Sequence, residues 1–315
     1  MDIALVTCAE LPELFPDDRP LARALGAAGL DVGIVCWDDP DFDWGSTRVA
    51  LLRSPWDYFH RAAEFLAWAE RAAAATLLVN PLPTVRWNLH KGYLVELAAR
   101  GLPVVPTALL PRSMDCAAGT LSRLLASRGW GDAVLKPAIS ADSWETIVVR
   151  ADDKEAGEAH LARLLPARDM LVQPFLRSVE THGERSLVHI DGQFSHAVRK
   201  NALTLGGRRA GVPEGIPVAA APDELAAARR ILTAAREATG TPEALYARVD
   251  LARDDAGDPL LLELELAEPT LFLEGAPAAI RRLVASITAL PALTTLAGRS
   301  CGHAQPVPPR RTECE

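Results

Sequence analysis

A predicted β-hairpin between residues 246 and 269 carries the charged side chains whose spacing could support chemistry. Two runs of alternating residues flank the turn formers Asp-Asp-Ala-Gly-Asp at 254–258, a pattern typical of a hairpin. If the hairpin is symmetric about its turn, four charged residues share one face in two opposed pairs: Arg248 with Glu265, and Asp250 with Glu263. The opposite face is then apolar and carries Val249, Leu251, Leu262, Leu264 and Leu266.

The three carboxylates of this hairpin are expected to lie close together, because directly opposed Cβ atoms in a sheet are about 4.5–5.5 Å apart. Carboxylates at that distance repel one another and resist ionisation. A Mg²⁺ ion would remove the conflict, since it prefers oxygen ligands and is commonly held by one or two carboxylates together with substrate phosphates. The alternative is a solvated sheet face on which Arg248 pairs with Glu265. The hairpin alone leaves both interpretations open.

Composition argues against several classes of protein. The chain has 315 residues, 49% of them hydrophobic, and is long enough for two domains. A net charge of −8 without a basic block argues against nucleic-acid binding. The five cysteines are scattered and never form a C-x-x-C, so we expect no disulfide framework or zinc site, and a cytoplasmic location. The N-terminus lacks the features of a signal peptide, and no apolar run is long enough for a membrane span.

Strands alternate with helices in the first third of the chain, which predicts an open, mostly parallel α/β sheet. The expected strands are 3–8, 32–37, 49–53 and 77–80, and the expected helices are 18–29 and 62–75. Neither G-x-G-x-x-G nor a P-loop follows the first strand. Open α/β sheets bind ligands at the carboxyl ends of their strands, so the loop with Trp56, Asp57 and Tyr58 is a candidate for substrate binding. The alternative is a helix cap whose aromatic rings fill the core.

Two lysines and a loop of small residues are candidates for contact with phosphate. Asn88 is expected to cap a helix over 89–100, which places Lys91 in the first turn, where the helix dipole disfavours a cation unless an anion is near. An exposed lysine without a function is the alternative. Lys136 closes an apolar strand, where a lysine is costly unless it is paired. The loop around Ser140 follows and can offer backbone N–H groups to phosphates.

From Pro111 onward the pattern predicts a unit of mixed helices and strands. The expected helices are 113–128, 154–165, 222–239 and 276–289, and the expected strands are 133–136, 146–150, 170–174, 184–190 and 193–200. Residues 201–217 predict a mobile loop, in which Arg208 and Arg209 are candidates for the substrate side. The tail from Gly298 is expected to be ordered poorly or not at all.

Taken in chain order, the charged and hinge residues resemble the motifs of the ATP-grasp ligases. The set is Lys91, Lys136, Gln173, Glu180, Lys200, Arg248, Asp250, Glu263 and Glu265, with Gln-Pro-Phe-Leu starting at Gln173. This superfamily includes D-alanine–D-alanine ligase, glutathione synthetase and ribosomal-protein glutamate ligases. The phrases Arg-Ser-Pro-Trp-Asp-Tyr, Trp-Asn-Leu-His-Lys, Leu-Lys-Pro-Ala-Ile-Ser and Leu-Glu-Leu-Glu-Leu-Ala-Glu-Pro resemble, more narrowly, the branch that contains the cycloserine-forming O-ureidoserine cyclo-ligase.

The resemblance implies an ATP-grasp fold of class α/β with an α+β lid. We expect an N-terminal open α/β substrate domain at 1–110, a central lid at 111–174, a C-terminal lobe with the metal site at 175–292 and a tail at 293–315. The two α+β lobes would clamp ATP between them.

The resemblance also implies a role for each matching residue. Contacts with ATP would come from Lys91, Lys136 and Ser140 at the phosphates, Gln173, Phe175 and Leu176 at adenine, Glu180 at the ribose, and Lys200 at the γ-phosphate. Two Mg²⁺ ions would be held by Asp250, Glu263 and Glu265, although many family members carry Asn at the last position. Arg248 would stabilise the acyl phosphate and the tetrahedral intermediate.

These residue types suit the activation of a carboxylate. Transfer of the γ-phosphoryl group of ATP to a carboxylate gives an acyl phosphate that an amine can attack, and the transfer depends on positioning and charge neutralisation. We therefore expect an ATP-dependent carboxylate–amine ligase of specialised metabolism that forms a dipeptide or γ-glutamyl amide from an amino acid. The alternatives are a cyclo-ligase whose amine is on the same molecule, a small-molecule kinase with His196 as its base, and a non-catalytic nucleotide-binding module. Family members are often dimers, so a homodimer is also expected.

Overall fold

Three β-sheets organise the chain. The structure, a computed structural model, describes residues 1–200 and 215–294. The N-terminal unit contains a parallel sheet in the order β2-β1-β3-β4. Its elements are β1 (Ile3–Thr7), α1 (Arg19–Ala27), β2 (Val32–Cys36), β3 (Val49–Ser54), α2 (Ala62–Ala75), β4 (Leu77–Val79), α3 (Leu82–Leu89) and α4 (Tyr93–Ala99). This arrangement confirms the open parallel sheet predicted for the first third of the chain.

The central unit is an antiparallel sheet in the order β5-β8-β6-β7, covered by two helices. Its elements are β5 (Ala108–Leu110), α5 (Thr120–Arg128), β6 (Ala133–Pro137), β7 (Ile147–Val149), α6 (Glu155–Leu164) and β8 (Met170–Pro174). The strand β5 precedes the expected domain boundary at residue 111, yet it pairs with β8 and thus belongs to this sheet.

The C-terminal unit contains a second antiparallel sheet, in the order β11-β10-β9-β12-β13. Its elements are α7 (Ser178–Thr181), β9 (Glu184–Ile190), β10 (Gln193–Lys200), β11 (Ile216–Val218), α8 (Pro222–Thr239), β12 (Tyr246–Arg253), β13 (Pro259–Glu265), α9 (Pro277–Thr288) and α10 (Pro291–Thr294). Within the described ranges, no helix has the length and apolar character needed to cross a membrane.

The N-terminal and C-terminal units share a hydrophobic core. Leu5 of the parallel sheet belongs to the same buried cluster as Ile190 of β9 and Leu283 of α9. The central unit has a cluster of its own, which includes Leu135 and Leu161. A third cluster joins Leu171 of the central unit to Leu94 and Val249 of the other two units.

Strand β13 lies at the edge of its sheet, and other units cover that edge. The segment 103–105 exchanges two backbone hydrogen bonds with Leu261, of 2.8 and 3.0 Å. The Tyr93 hydroxyl lies 2.9 Å from both the backbone N and the backbone O of Leu264, and Asn88 Nδ2 donates to the same carbonyl at 2.8 Å. The backbone groups of this edge are thus satisfied by the chain itself, as an edge strand requires.

The predicted capping role of Asn88 is wrong. Asn88 lies inside α3, and a second helix, α4, starts only at Tyr93. The side chain of Asn88 is buried against β13, where a residue whose type suits a helix cap serves as a tertiary hydrogen-bonding group. Lys91 consequently lies in the loop between the two helices and not in a first helical turn.

The helix predicted to start at residue 113 begins later, at Thr120. Gly119 has a left-handed backbone with φ 76°, which interrupts the helix on its N-terminal side. The new N-terminus is capped from a distance, because Glu158 of α6 accepts a hydrogen bond from Ser122 N at 2.8 Å. A cap supplied from another helix gives no local sequence signal.

The expected apolar face of the hairpin is also wrong at one residue. A bulge shifts the register, so Leu251 lies opposite Leu261 and not opposite Leu262. Leu261 is therefore fully buried in the core, and Leu262 lines a cleft beside Glu263.

Candidate active site

The three units border a cleft of about 460 Å³. Twelve of the predicted site residues line it: Trp56, Tyr58, Lys91, Lys136, Ser140, Gln173, Phe175, Leu176, Lys200, Arg248, Glu263 and Glu265. The lining does not include Asp57, Glu180 or Asp250. Arg208 and Arg209 lie outside the described residues.

The charged residues of the hairpin are opposed as predicted. Arg248 lies opposite Glu265, and Asp250 lies opposite Glu263. Arg248 Nε donates to Asp250 Oδ1 at 2.9 Å, and its Nη2 contacts both Asp250 and Glu265. Lys200 Nζ lies 2.8 Å from Asp250 Oδ2. Arg248 does pair with Glu265, as expected for a solvated sheet face, but the face that carries this pair lines the cleft.

Lys91 and Lys136 approach one carboxylate from two different units. Lys91 Nζ lies 3.2 Å from Glu263 Oε1, and Lys136 Nζ lies 3.9 Å from Glu263 Oε2. Lys91 Nζ also donates to the carbonyl of Ser140 at 2.5 Å. Both lysines are buried, with 5% and 9% of their surface exposed. Glu263 therefore partly compensates two cations that would otherwise be costly to bury.

Burial disfavours the charged forms of Asp250 and Lys200, but the opposite charges next to each of them outweigh that effect. The pKa of Asp250 lies below its ordinary value because Arg248 and Lys200 outweigh burial. The pKa of Lys200 lies above its ordinary value, since Asp250 and Glu184 outweigh burial and the repulsion from Arg248. Asp250 and Lys200 are consequently charged at neutral pH.

The pKa values of the other two hairpin carboxylates, Glu263 and Glu265, are shifted in opposite directions. Lys91 and Lys136 outweigh burial and keep the pKa of Glu263 below its ordinary value. For Glu265, burial and the repulsion from Asp250 and Glu263 outweigh Arg248 and raise its pKa to about 8. Burial also lowers the pKa of Lys136, because Glu263 offsets it only in part. An additional cation beside Glu265 would stabilise the ionised form of this carboxylate, whose charge is the least compensated of the three.

Glu263 and Glu265 are the residues that fit a magnesium ion. Their side chains line the cleft with exposed fractions of 28% and 25%, and Mg²⁺ prefers carboxylate oxygens. Asp250 fits less well, because it is fully buried and both of its oxygens already accept from Arg248 or Lys200. Across residues 1–200 and 215–294, no three His, Cys, Asp or Glu side chains are grouped in a way that could hold a metal ion.

One end of the cleft, beside β8, is largely apolar. Phe175, Leu176 and Leu262 line it together with Gln173, whose Nε2 donates to Thr107 Oγ1 at 2.9 Å. The backbone N of Phe175 donates to the carbonyl of Asp132 at 2.9 Å, so this one N–H group is engaged within the chain, and the contact of Phe175 and Leu176 with adenine stays a prediction. The Phe175 side chain remains available as an apolar wall.

Glu180 was expected at the ribose, but it is exposed on α7 and does not line the cleft. Glu184 does line it, and lies 2.5 Å from Lys200 Nζ. Sequence analysis missed Glu184, because a hairpin symmetric about its Asp-Gly turn places Glu184 opposite Arg199. A bulge between Phe194 and His196 shifts the register by one residue and brings Lys200 opposite Glu184.

Aromatic residues line the end of the cleft at the N-terminal unit. Trp56, Tyr58 and Phe15 lie there, and the rings of Phe15 and Trp56 have centroids 4.8 Å apart. Trp56 Nε1 donates to the backbone carbonyl of Glu268 at 3.0 Å. Sequence analysis missed Phe15 and Glu268, along with Thr270 and Phe272, which line the same region.

Asp57, the third residue of the candidate substrate loop, serves the fold. Its Oδ1 accepts from Trp37 Nε1 at 2.7 Å, and its Oδ2 accepts from Arg61 Nη2 at 2.7 Å. Trp56 and Tyr58 line the cleft, while Tyr58 also belongs to the buried core, as the alternative expected. The substrate role of this loop stays a prediction.

A loop of the central unit closes over the N-terminal unit. The Trp144 ring has its centroid 5.3 Å from those of Phe59 and His60, and the Arg168 guanidinium lies 4.6 Å from the Trp144 ring centroid. Arg168 Nη1 also donates to the carbonyl of Phe59 at 2.9 Å. These contacts hold the loop beside Ser140 against the cleft.

A parallel sheet followed by two antiparallel units, with lysines, an arginine and opposed carboxylates between them, defines the ATP-grasp class. The crystal structure of D-cycloserine synthetase DcsG aligns with a TM-score of 0.84 and 34% identity, over 91% of this chain and 98% of that chain. A RimK-domain ATP-grasp protein from Sphaerobacter thermophilus DSM 20745 has the same fold, with a TM-score of 0.64 and 19% identity over 91% and 99% of the two chains.

The sequence comparisons find similarity to the same protein, DcsG. The family described as "D-cycloserine synthetase DcsG, N-terminal domain" matches residues 3–80. The cycloserine biosynthesis protein DcsG of Streptomyces lavendulae is 36% identical over 276 residues, which cover 86% of this chain and 92% of that protein. The chain therefore belongs to the family of ATP-grasp ligases that includes DcsG. It is an ATP-dependent ligase that forms C–N bonds, and the resemblance found in the sequence is confirmed.

Proposed function

We propose that this ligase activates the carboxylate of an amino acid and closes a ring with an amine of the same molecule. The match to a cycloserine synthetase covers 92% of that protein and favours the cyclo-ligase alternative over the intermolecular ligation first expected. One observation carries the chemistry: four cations, Lys91, Lys136, Lys200 and Arg248, line the cleft around opposed carboxylates.

The reaction has two steps. A carboxylate oxygen of the substrate attacks the γ-phosphorus of ATP, and ADP leaves. An amine nitrogen then attacks the acyl carbon, loses a proton and displaces phosphate. The cations are placed to offset the negative charge that gathers on the transferring group. Among the described residues, no cysteine or histidine lines the cleft, so those residues offer no Cys–His or Ser–His pair for covalent catalysis.

Each end of the cleft suits a different part of the reactants. The apolar end with Gln173, Phe175 and Leu176 suits adenine, and Lys91 and Lys136 suit the phosphates. Lys200, Arg248 and the loop at Ser140 would lie near the transferred group. This assignment places the substrate at the aromatic end with Trp56 and Tyr58. Glu180 is left without a role in it.

Glu263 and Glu265 would hold magnesium, which when bound neutralises charge on the phosphates. These two carboxylates support one ion. A second ion would require Asp250, which here fixes the positions of Arg248 and Lys200.

The kinase alternative loses its candidate base. His196 Nε2 lies 2.9 Å from the carbonyl of Leu271, to which it donates in the tautomer with its proton on Nε2. Burial lowers the pKa of this histidine, so it stays neutral at neutral pH. His196 does not line the cleft and cannot reach a substrate hydroxyl there.

A phosphate-release screen with amino acids, singly and in pairs, tests the proposal. Cyclisation is supported if a single compound releases phosphate and ADP. The product should then be lighter than that compound by the elements of water, because a carboxylate oxygen leaves with the phosphate. Dependence on two compounds would replace it with dipeptide formation, and a stable phosphorylated product would replace it with kinase activity. Glu263→Gln should abolish turnover and leave part of the metal-free nucleotide binding. The exposed Glu274→Gln serves as the matched control.

We place the reaction in the cytoplasm, in accord with the free thiols of Cys8, Cys36 and Cys116. Light scattering on the same preparation measures whether the expected homodimer forms.

A further inference from the structure

A short segment at the aromatic end of the cleft is held by side-chain hydrogen bonds along its whole length. In this clamped segment, residues 266–271, every backbone carbonyl lies within hydrogen-bonding distance of a side-chain donor. In chain order the donors are Asn80, Tyr246, Trp56, Arg53, Arg248 and His196, at distances between 2.6 and 3.1 Å. The Tyr246 hydroxyl shares its single proton with two further carbonyls. The donors come from both the N-terminal and the C-terminal units, so the shared core of these units fixes the segment.

The clamped segment presents one charged side chain to the cleft, that of Glu268. The preceding N–H, of Ala267, donates to Asn88 Oδ1 at 3.2 Å, and the following carbonyl, of Pro269, accepts from Arg53 Nη2 at 2.7 Å. With its backbone held on both sides, Glu268 is a preorganised acid. Preorganisation of this kind lowers the entropy cost of binding a ligand.

Glu268 differs from the other half-buried carboxylates of the cleft. Glu184, Glu263 and Glu265 each have a lysine or arginine nitrogen within 4 Å. Within the part of the chain that the structure describes, no such cation lies within 4 Å of Glu268. Burial raises the pKa of Glu268, and the nearby charge of Lys91 compensates only in part. Among the described residues, the protein thus half-buries this acid of the cleft without supplying a counterion for it, which is costly.

Tyr58 completes the surroundings of this acid. It is buried, with 3% of its surface exposed, and its side chain lines the cleft together with that of Glu268. Burial and the charge of Glu268 hold the pKa of Tyr58 well above its ordinary value, so the phenol keeps its proton. A protonated phenol beside Glu268 can donate to one carboxylate oxygen and leave the other for a donor in the cleft.

We propose that Glu268, held beside Tyr58 by the clamped segment, binds the protonated amino group of the substrate. The ligase would accordingly select a free amino acid and reject an N-acylated one or a residue within a peptide. This inference rests on the proposed function, because it assigns the substrate to the aromatic end of the cleft.

The assignment has a chemical consequence for ring closure. A carboxylate partner raises the pKa of an ammonium group and keeps it protonated, and a protonated amine cannot attack an acyl phosphate. Glu268 would thus hold one amine of the substrate unreactive, so that a different nitrogen of the same molecule closes the ring.

Binding measurements test the inference without relying on turnover. The probes are D-cycloserine, D-serine and L-serine, each compared with its N-acetyl derivative, in the presence of magnesium and a non-hydrolysable ATP analogue. Affinities are measured by calorimetry. For wild-type protein we expect at least one free-amine probe to bind about 10- to 150-fold more tightly than its N-acetyl derivative, the range for a hydrogen bond to a charged group.

The variants locate the effect. Glu268→Gln, nearly isosteric, should lose most of this preference, and Tyr58→Phe should lose a smaller part. Both should bind the ATP analogue as wild type does, which shows that they are folded. Glu274→Gln, on the same loop and exposed, should keep the full preference.

Three results would overturn the inference: unchanged binding by Glu268→Gln, equal binding of free and acetylated probes, or no binding by any free-amine probe. The phosphate-release screen separates this outcome from failure of the proposed function. Phosphate release with unchanged Glu268→Gln binding would refute the amine site alone. A Glu268-dependent preference without phosphate release would refute the ring-closing activity alone.

Discussion

Replacement of Arg53 by methionine should destabilise the protein strongly, because this arginine is the buried link between the two units that share a core. Arg53 is 1% exposed, and its Nε donates to Asp18 Oδ1 at 2.9 Å. Its Nη2 donates to the carbonyl of Pro269 at 2.7 Å, and the guanidinium lies 4.9 Å from the ring centroid of Tyr246. Methionine fills similar space but leaves Asp18 as a buried acid without a cation beside it.

The magnitude follows from that uncompensated acid. Removal of one partner of a buried ion pair typically costs about 3–5 kcal/mol. The remaining partner of Asp18 is the neutral Ser54, whose hydroxyl donates to Oδ2 at 2.9 Å, and no second cation pairs with Asp18 among the described residues. At about 2 °C per kcal/mol for a chain longer than 150 residues, we expect the Tm to fall by roughly 6–10 °C.

A double variant separates the lost charge pair from lost packing. Burial raises the pKa of Asp18 in spite of Arg53, so the pair recovers only part of its own desolvation cost. Asp18→Asn combined with Arg53→Met removes the stranded charge and should be more stable than Arg53→Met alone. Thermal unfolding and urea titration measure both effects. A single-variant loss below about 1 kcal/mol, or a double variant no more stable than the single one, would refute the argument.

Three further predictions concern the cleft, its loop and the pH dependence of stability. Lys136→Ala should weaken ATP binding about 10- to 150-fold in calorimetry, the scale of a hydrogen bond to a charged group, and an unchanged affinity would contradict its phosphate role. Burial lowers the pKa of His189 to about 4, so the unfolded chain binds its proton first, and stability should fall by up to about 3 kcal/mol as pH drops from 6.5 to 4. His189→Leu should flatten that slope in urea titrations, and an identical slope would count against it. Trp144→Ala should speed proteolysis of the loop at 141–146, because the ring contacts that hold it are lost, whereas Trp130→Ala should not.

Local patterns predicted the charged hairpin, and the reason is geometric. Side chains alternate along a strand, so the turn at 254–258 fixes which residues are opposed. Arg248 and Asp250 therefore meet Glu265 and Glu263 as expected. The same rule failed at Leu262, since a bulge adds one residue to β13 and turns that side chain into the cleft. Because the bulge lies within a run of leucines, the alternation of apolar and polar residues in the sequence does not reveal it.

The amine-binding end could not be predicted, because its signal is spread over the whole chain. Six side chains between Arg53 and Arg248 clamp backbone carbonyls, and a carbonyl has the same chemistry at every residue. Glu268 by itself resembles any acid after a strand. Its lack of a cation becomes visible only once Lys91, Lys200 and Arg248 are seen to be engaged with other carboxylates. A charge imbalance is a property of the folded neighbourhood, so sequence motifs locate the reactive groups of this cleft while only the structure shows which acid is left for the substrate.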